Sequence, residues 1–263
     1  MELRETKHLF LLQSKLAENI EQFALQNKEY SDAIKNLIKG RVSNNLEDRC
    51  LTRDIKWGIP VPEDGWEGKV FYVWFDAPLA YISFLLEQNK DWNSYHITHF
   101  IGKDNLEFHA VSFPSYLHAN KQWKVPEQIK VFNWLQWNNE KFSTSKGQGI
   151  FLDQALDLHP VNYWRWWLLT NSPENHDVNF SYEAFITECN QDLANGLGNL
   201  VARTTNLIVK HGFDNSVPLD ENLFSTVTKL LSQINKDGYD IQIRKYCEGR
   251  EKITKEIETL KTK

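Results

Sequence analysis

The chain has 263 residues, of which 41% are hydrophobic and 25% charged, with a formal net charge of -5 at pH 7. This composition argues against wholesale disorder, and no apolar run approaches the roughly 20 residues that a membrane span requires. Cys50, Cys189 and Cys247 lie far apart, which disfavours a disulfide framework and a cysteine-based zinc site. We expect a cytoplasmic globular protein, without a membrane partner, whose bulk charge does not announce a nucleic-acid partner.

The first 50 residues are predicted to be helical and charged. Ala33, Leu37 and Ile38 indicate a short second helix. Ahead of it, apolar residues recur at spacings of three or four, which is the pattern of an amphipathic helix. They are Leu9, Leu12, Leu16, Ile20 and Phe23.

Three short apolar segments are predicted to be buried strands: residues 69–75, 99–101 and 128–132. Helical segments separate them, and Pro114 is expected to kink or end the first part of the second one. Strands that alternate with helices predict a parallel sheet with right-handed crossovers. Because such sheets bind ligands beyond the carboxyl ends of their strands, we expect a site formed by residues 76–81, residues 102–109 and the loop after Trp134.

The loop after the third strand reads KFSTSKGQG over residues 141–149. Lysines, hydroxyls and backbone N–H groups of this kind suit the binding of a polyphosphate. The alternative is an ordinary polar surface loop. The sequence has no G-x-x-x-x-G-K-[ST] motif, so a P-loop NTPase is excluded.

The amino-acid composition of the chain changes towards the carboxyl end. All ten tryptophans fall between Trp57 and Trp167, and from residue 187 onwards the pattern predicts helices only. Leu193, Leu197, Leu200, Val201 and Ile208 are expected on one helix face. A second face carries Asn195, Asn199 and Arg203, each four residues apart.

Several blocks, in a fixed order over residues 40–215, resemble the methionyl-tRNA synthetases, a family of class I aminoacyl-tRNA synthetases. Residues 141–147 are similar to the K-M-S-K-S signature of the class. The blocks that narrow the resemblance to the methionine family are WGIPVP (57–62), FYVWFDAP (71–78), FIGKDN (100–105) with Phe108 and His109, and residues 192–203. The aromatic pocket and the Asn199/Arg203 pair disfavour the related synthetases for leucine, isoleucine, valine or cysteine.

The resemblance implies an α/β fold followed by an all-α part, with half of a Rossmann-like parallel sheet. Residues 1–50 would be the helical end of a connective insertion, and residues 51–155 the second half of the catalytic domain. Residues 156–186 would contact the tRNA stem, and residues 187–263 would form an incomplete helical anticodon-binding domain.

The resemblance also implies a methionine site. Asp104 would hold the substrate ammonium, for which the alternative role is a helix N-cap. For the side-chain pocket, the alternatives are core packing of the aromatic rings and a structural histidine. The residues that would line this pocket are Trp74, Ala77, Pro78, Tyr81, Phe108 and His109.

A nucleotide site and a tRNA site follow from the same resemblance. Lys141 would contact phosphate, and the catalytic group would further comprise Arg53, Ser143, Thr144, Ser145 and Lys146. For Arg53 the alternative is a surface salt bridge. ATP would also meet Gly102, Lys103, Asn133 and Trp134, the last two through their backbone. Asn199 and Arg203 match anticodon-reading positions, for which the alternative is a solvated helix face.

The implied activity is Mg²⁺- and ATP-dependent ligation of methionine to tRNA(Met), with no metal ligands assigned in this chain. Two departures from the family pattern bear on it. Thr144 occupies the position of the second lysine of the signature, and the H-I-G-H-type signature of the first half is missing. We therefore expect little activity from this chain alone. It would be a fragment, one subunit of a split enzyme that a second chain completes, or a non-catalytic tRNA-binding or assembly protein derived from the family.

Overall fold

The computed structural model describes residues 5–212 and 221–239, together with Gly249 and Lys252. The described residues fall into two compact units, on either side of the bond between Val131 and Phe132. The predicted helical part at residues 187–263 includes residues 213–220 and most of 240–263, which lie outside the described residues. The domain limits given by the resemblance stay a prediction.

The beginning of the first unit is only partly helical. Ser31 caps α2 because its hydroxyl accepts a hydrogen bond from the N–H of Ile34 at 3.4 Å. The prediction of a continuous first helix is wrong at its start, where a strand pairs antiparallel with a partner before residue 51. The elements are β1 (Phe10–Leu11), a 3₁₀ turn (Gln13–Leu16), α1 (Ala17–Gln26), α2 (Asp32–Ser43) and β2 (Arg49–Cys50).

The strand predicted at residues 69–75 is wrong in its length and its partner. It is β4 (Val70–Phe71), and it pairs antiparallel with β3 (Thr52–Arg53) rather than joining the other predicted strands. The chain then turns into α3 (Val73–Asp76), where the N–H of Ala77 donates to the carbonyl of Val73. Aromatic residues favour strands on propensity alone, but tertiary packing of the rings overrides that preference here. The next helix is α4 (Leu79–Glu87).

The other two predicted strands are confirmed and are neighbours in one sheet. They are β5 (Thr98–Gly102) and β6 (Gln128–Phe132). Between them, a π-helix at Phe108–Ser112 continues directly into the helix that contains Pro114, so the helix does not end at the proline, and a kink there stays a prediction. The remaining elements here are 3₁₀ turns at Trp92–Ser94 and Lys103–Asn105, and α5 (Phe113–Asn120), with Pro114 in its first turn.

A three-stranded sheet and three helices form the core of the second unit. The sheet has the order β8-β7-β9, antiparallel on one side and parallel on the other. Trp164, Trp167, Phe180 and Phe185 are buried between sheet and helices. The elements are β7 (Leu135–Trp137), β8 (Glu140–Lys141), α6 (Leu152–Leu158), α7 (Val161–Thr170), β9 (Val178–Phe180) and α8 (Tyr182–Cys189).

The described part after residue 187 is helical, as predicted, but it is not a regular α-helix throughout. A π-helix at Asn190–Gly198 joins α8 to α9 (Asn199–His211), and α10 spans Glu221–Tyr239. Turns of this wider kind are rare in proteins. Within the described ranges, no helix is both long enough and apolar enough to cross a bilayer.

Candidate active site

An aromatic stack forms one wall of a candidate site in the first unit. Trp74 on α3 and Phe108 on the π-helix stack with ring centroids 4.3 Å apart and planes 12° from parallel. Both side chains are half-buried. The hydroxyl of Tyr116 lies 3.5 Å from the carbonyl oxygen of Trp74 and donates to it, which ties this wall to α5.

His109, the residue that follows Phe108 in the π-helix, takes part in a chain of hydrogen bonds with Tyr81 and Asn105. The Nδ1 of His109 is 2.9 Å from the carbonyl oxygen of Asn105, and its Nε2 is 3.1 Å from the hydroxyl of Tyr81. A carbonyl only accepts, so Nδ1 carries the proton and Nε2 accepts from Tyr81. Burial lowers the pKa of His109, which keeps this ring neutral.

His99 belongs to the same cluster of rings, although the sequence analysis gave it no role. Its ring centroid lies 4.7 Å from that of Tyr81, 5.3 Å from that of His109 and 5.8 Å from that of Phe113. The side chain is buried, and neither ring nitrogen has a hydrogen-bond partner. Burial lowers its pKa to about 4. In the sequence, the one indication that His99 is buried was its position two residues before Ile101, on the same face of a predicted strand.

The remaining residues of the predicted methionine site lie nearby in the chain. Pro78 is buried at the start of α4, whereas Ala77 before it is exposed. Asp104 is exposed in the 3₁₀ turn after β5, whose N-cap is Gly102, so the N-cap alternative for Asp104 is wrong. A Cβ atom on Gly102 would lie 2.8 Å from Oδ1 of Asp104, but the exposed carboxylate can turn away from it. Lys103 between them is half-buried.

Arg53 packs on an aromatic ring instead of forming the surface salt bridge that was its alternative. Its guanidinium carbon lies 3.8 Å from the centroid of the Tyr72 ring, and Nη1 donates to the carbonyl of Thr52 at 2.8 Å. A second arginine, Arg49, lies 4.8 Å from the centroid of the Phe108 ring and 5.9 Å from that of Tyr72. No sequence motif marks Arg49.

The lysine-rich loop lies in the second unit and is a closed hairpin. Asn138 and Asn139, both with positive φ, connect β7 to β8, as in tight two-residue turns. Ser143 and Gln148 then exchange two backbone hydrogen bonds of 3.0 and 2.9 Å, and Gly147 donates to the carbonyl of Thr144 at 3.1 Å. The residues at the tip are exposed: Thr144, Ser145, Lys146 and Gly147.

Two aromatic contacts hold the base of this loop. The Nζ of Lys141 lies 3.3 Å from the centroid of the Trp134 ring, which is a cation–π contact. Phe142 packs edge-on against Trp137, with centroids 5.7 Å apart. A Cβ atom on Gly149 would lie 2.3 Å from the Phe142 ring, so only glycine allows this approach.

The backbone of Asn133 and Trp134 is already engaged. The N–H of Asn133 donates to the carbonyl of Pro173 at 2.8 Å, and the N–H of Trp134 donates to Oδ1 of Asp177 at 3.0 Å. The carbonyl of Trp134 accepts from Val178 at 2.9 Å. These bonds fix the segment beside the parallel strand pair β7 and β9.

Asn199 and Arg203 are both exposed, one turn apart on α9. Side chains so placed can hydrogen-bond to unpaired bases. Among the described residues, no group of three or more His, Cys, Asp or Glu could hold a metal ion.

The family model, the relatives and the solved structure that this chain resembles are all tRNA synthetases. The family model described as tRNA synthetases class I (M) matches residues 1–205. The methionine–tRNA ligase of Maricaulis maris is 44% identical over 83% of this chain and 41% of its own length. That of Streptomyces avermitilis is 41% identical over 89% of this chain and 45% of its own length. The chain thus spans about half the length of the curated relatives it matches.

A solved structure agrees with these matches. The Mycobacterium tuberculosis methionyl-tRNA synthetase in complex with methionyl-adenylate superimposes with a TM-score of 0.84. The match has 26% sequence identity and covers 96% of this chain and 52% of that chain.

Proposed function

Because the chain belongs to the methionyl-tRNA synthetases, a family of class I tRNA synthetases, we propose that it is part of a methionine–tRNA ligase. In the first step, the carboxylate of methionine attacks the α-phosphate of ATP, which forms methionyl-adenylate and releases pyrophosphate. In the second step, the 3′-terminal ribose of tRNA(Met) takes the methionyl group and AMP leaves. This chemistry requires positioning and charge stabilisation rather than a protein nucleophile.

The observation that carries this proposal is the stack of Trp74 on Phe108, together with the hydrogen-bonded Tyr81–His109 pair, whose histidine follows Phe108 in the chain. A thioether is polarisable and makes favourable contacts with aromatic rings. Trp74 and Phe108 would supply those rings, stacked at 4.3 Å. The Tyr81 hydroxyl, which lies 3.1 Å from Nε2 of His109, can turn to donate to sulfur as a weak acceptor.

The polar end of methionine would meet the segment after β5. Asp104 is exposed there and would accept hydrogen bonds from the substrate ammonium, which is a charge-assisted interaction. Ala77 and Pro78 would complete the pocket at the start of α4. Gly102 and Lys103, in the same turn as Asp104, would face the nucleotide.

The hairpin loop would hold the phosphates of ATP. Lys141 rests on Trp134 and would leave that ring to contact a phosphate oxygen. Ser143, Ser145 and Lys146 would supply hydroxyls and a second cation from the loop. In the first unit, Arg53 is a separate candidate for a cation that acts in the reaction. Adenine would lie along Asn133 and Trp134.

Mg²⁺ would accompany the nucleotide. This ion is commonly held by substrate phosphates with only one or two carboxylates, so the absence of a metal-ligating cluster from the described residues is compatible with it. No step of the proposed reaction is assigned to a metal ligand of this chain.

The carboxyl-terminal parts would bind tRNA(Met). Residues 156–186 would contact the stem beside the active site. Asn199 and Arg203, exposed one turn apart on α9, would read anticodon bases. We further propose cytoplasmic activity, and a second chain that supplies the H-I-G-H-type half is a candidate partner.

Thr144 favours a second candidate function, that of a non-catalytic tRNA-binding or assembly protein. The residue is exposed at the tip of the hairpin, where the family signature has a phosphate-contacting lysine. Lys146 lies two residues further on in the same turn. The intact rings of the methionine pocket favour the ligase over this alternative.

Binding of a non-hydrolysable methionyl-adenylate analogue tests the proposed function. Calorimetry would compare it with the leucyl analogue, using the chain alone and the chain mixed with the amino-terminal half of the Maricaulis maris relative. We expect the methionyl analogue to bind at least about tenfold more tightly than the leucyl analogue, because a complementary pocket discriminates between similar apolar side chains by factors of this size. Equal affinities in both preparations would contradict the ligase.

A further inference from the structure

Two arginines, Arg49 and Arg53, lie over the ring of Tyr72, and Arg49 also lies over Phe108, a residue of the proposed methionine pocket. Arg49, on β2, is 4.8 Å from the centroid of Phe108 and 5.9 Å from that of Tyr72. Arg53, on β3, is 3.8 Å from the centroid of the same tyrosine. Both arginines are half-buried. The two guanidinium groups thus share the Tyr72 ring, and Arg49 also contacts Phe108, which stacks on Trp74.

No carboxylate among residues 5–212 and 221–239 forms an ion pair with either guanidinium. The acidic residues next to them in sequence have other partners. Asp48 accepts hydrogen bonds from Ser14, and Asp54 pairs with Lys69. Half-buried cations lose hydration, and aromatic rings compensate for only part of that loss. Two positive charges on this wall are therefore available to a negatively charged ligand.

The hydrogen-bond donors of Arg53 are also only partly used within the described residues. The described hydrogen bonds of Arg53 all come from Nη1, which donates to the carbonyls of Thr52 at 2.8 Å and Cys50 at 3.5 Å. The N–H groups on Nη2 and Nε of Arg53 donate no hydrogen bond within the described part of the chain. The positive charge of Arg49 reaches Tyr116, where it lowers a pKa that burial raises to about 12.

We propose that Arg49 and Arg53 form a polyphosphate-binding pair at the edge of the aromatic pocket, with Arg49 as a phosphate-binding residue of the site. Two cations match a ligand with two or more negative charges, which favours a diphosphate or triphosphate over a monocarboxylate. The planar guanidinium also suits phosphate, because its donors reach two oxygens at once while its face stays on a ring. The inference deepens the proposed function, since ATP and pyrophosphate are its polyphosphates.

Calorimetric titration of the chain with pyrophosphate, ATP and AMP tests this pair. In Arg49→Gln we expect the dissociation constant for pyrophosphate to rise about tenfold or more, as when a charged hydrogen bond is lost. Arg41→Gln is the matched control, because Arg41 lies in the same unit but is paired with Glu107 at 2.6 Å. This control should bind pyrophosphate as the parent chain does. AMP, with a single phosphate, should bind about tenfold more weakly than pyrophosphate.

The ATP and pyrophosphate titrations separate the two sources of the ligand. If Arg49→Gln weakens both, the pair holds the phosphates of the intact nucleotide; if it weakens pyrophosphate alone, the pair holds the leaving group. Arg49→Lys, which keeps the charge but loses the planar stack, should fall between the parent chain and Arg49→Gln. Should Arg49→Gln fail to fold, as near-ultraviolet circular dichroism would show, a loss of pyrophosphate affinity in Arg49→Lys carries the same conclusion.

Three results would overturn the inference: no pyrophosphate binding by the parent chain, equal affinity in both Arg49 variants and the parent, or an equal loss in Arg41→Gln. Failure of the proposed function gives a different result. In that case pyrophosphate binding still depends on Arg49, while the methionyl-adenylate analogue shows no preference over its leucyl counterpart.

Discussion

Sequence motifs mark individual residues of the proposed methionine pocket, but they do not give the contacts that these residues make in the structure. The resemblance selected Trp74, Tyr81, Phe108 and His109, and the structure brings them together as two contacting pairs. It did not select His99, because an unpartnered buried histidine has no signature in a sequence. Contacts of this kind arise from three-dimensional packing of rings that are distant in the chain.

Removal of the Tyr81 hydroxyl should weaken the use of methionine. Tyr81→Phe leaves Nε2 of His109 without its donor at 3.1 Å, and losing such a bond costs about 1 kcal/mol. We expect kcat/KM for methionine to fall about fivefold to tenfold, with an unchanged KM for ATP. Steady-state pyrophosphate exchange, with the chain mixed with an amino-terminal half that carries the H-I-G-H-type signature, measures both constants. Tyr95→Phe, at a tyrosine that is 43% exposed, is the control and should leave both unchanged.

Burial of His99 should make the stability of the protein depend on pH. Its pKa in the folded state is about 4, below the ordinary value of 6.5. The unfolded chain therefore binds more protons between these two values, and the stabilising effect present above pH 6.5 is lost as the pH falls towards 4. Urea unfolding at pH 7, 6 and 5 should show this loss. His99→Phe should have a shallower slope, and parallel slopes would show that His99 does not titrate in this way.

Two segments that carry residues of the candidate site, residues 72–76 and Phe108–Ser112, were described poorly by sequence patterns. Helices α2 and α4 and strands β5 and β6 were predictable from apolar spacing, because that spacing determines which face is buried. The segment at residues 72–76 was not, because its run of aromatic residues fits a strand as well as a helix. The π-helices at Phe108–Ser112 and Asn190–Gly198 were not predictable either, since both have helical composition. Wider helical turns of this kind often occur at functional sites.

The hairpin loop should depend on the close approach of Phe142 to Gly149. Gly149→Ala places a Cβ atom 2.3 Å from that ring at a backbone φ of +119°. Gly147→Ala is the matched control, because Gly147 also has positive φ but nothing lies within 4 Å of the added atom. The positive φ alone costs about 1–2 kcal/mol, so Gly149→Ala should lower the free energy of unfolding by more than Gly147→Ala. Equal losses in denaturant titrations would contradict the packing of Phe142 on Gly149.

A lysine at the tip of the same loop should accelerate the first reaction step. Thr144 is exposed, so Thr144→Lys adds a charge without disturbing a buried contact. Because an added cation stabilises the negative charge that develops on the phosphates, we expect up to about tenfold faster adenylate formation. Single-turnover measurements of adenylate formation provide the rate. Asn175→Lys, at an exposed residue outside the loop, adds the same charge and should have no effect; equal acceleration by both variants would indicate a non-specific charge effect.

At the scale of the whole molecule, the resemblance gave the family correctly, and comparisons with relatives confirm it. Composition alone could not identify the family, because a net charge of -5 gives no sign of an RNA partner. The family was identified from several short sequence blocks that occur in a fixed order. Each block alone is too short to be specific, but their combination is specific. The division between Val131 and Phe132 was not visible, because a strand runs across it and compactness depends on long-range packing.

The most direct test of the proposed ligase is methionine-dependent exchange between ATP and pyrophosphate. It would be measured with this chain alone and with the chain mixed with an amino-terminal half that carries the H-I-G-H-type signature. We predict exchange in the mixture with methionine and not with leucine, isoleucine, valine or cysteine, and little exchange by the chain alone. Absence of exchange in the mixture, with both pieces folded and associated, would contradict the ligase and favour the non-catalytic tRNA-binding protein.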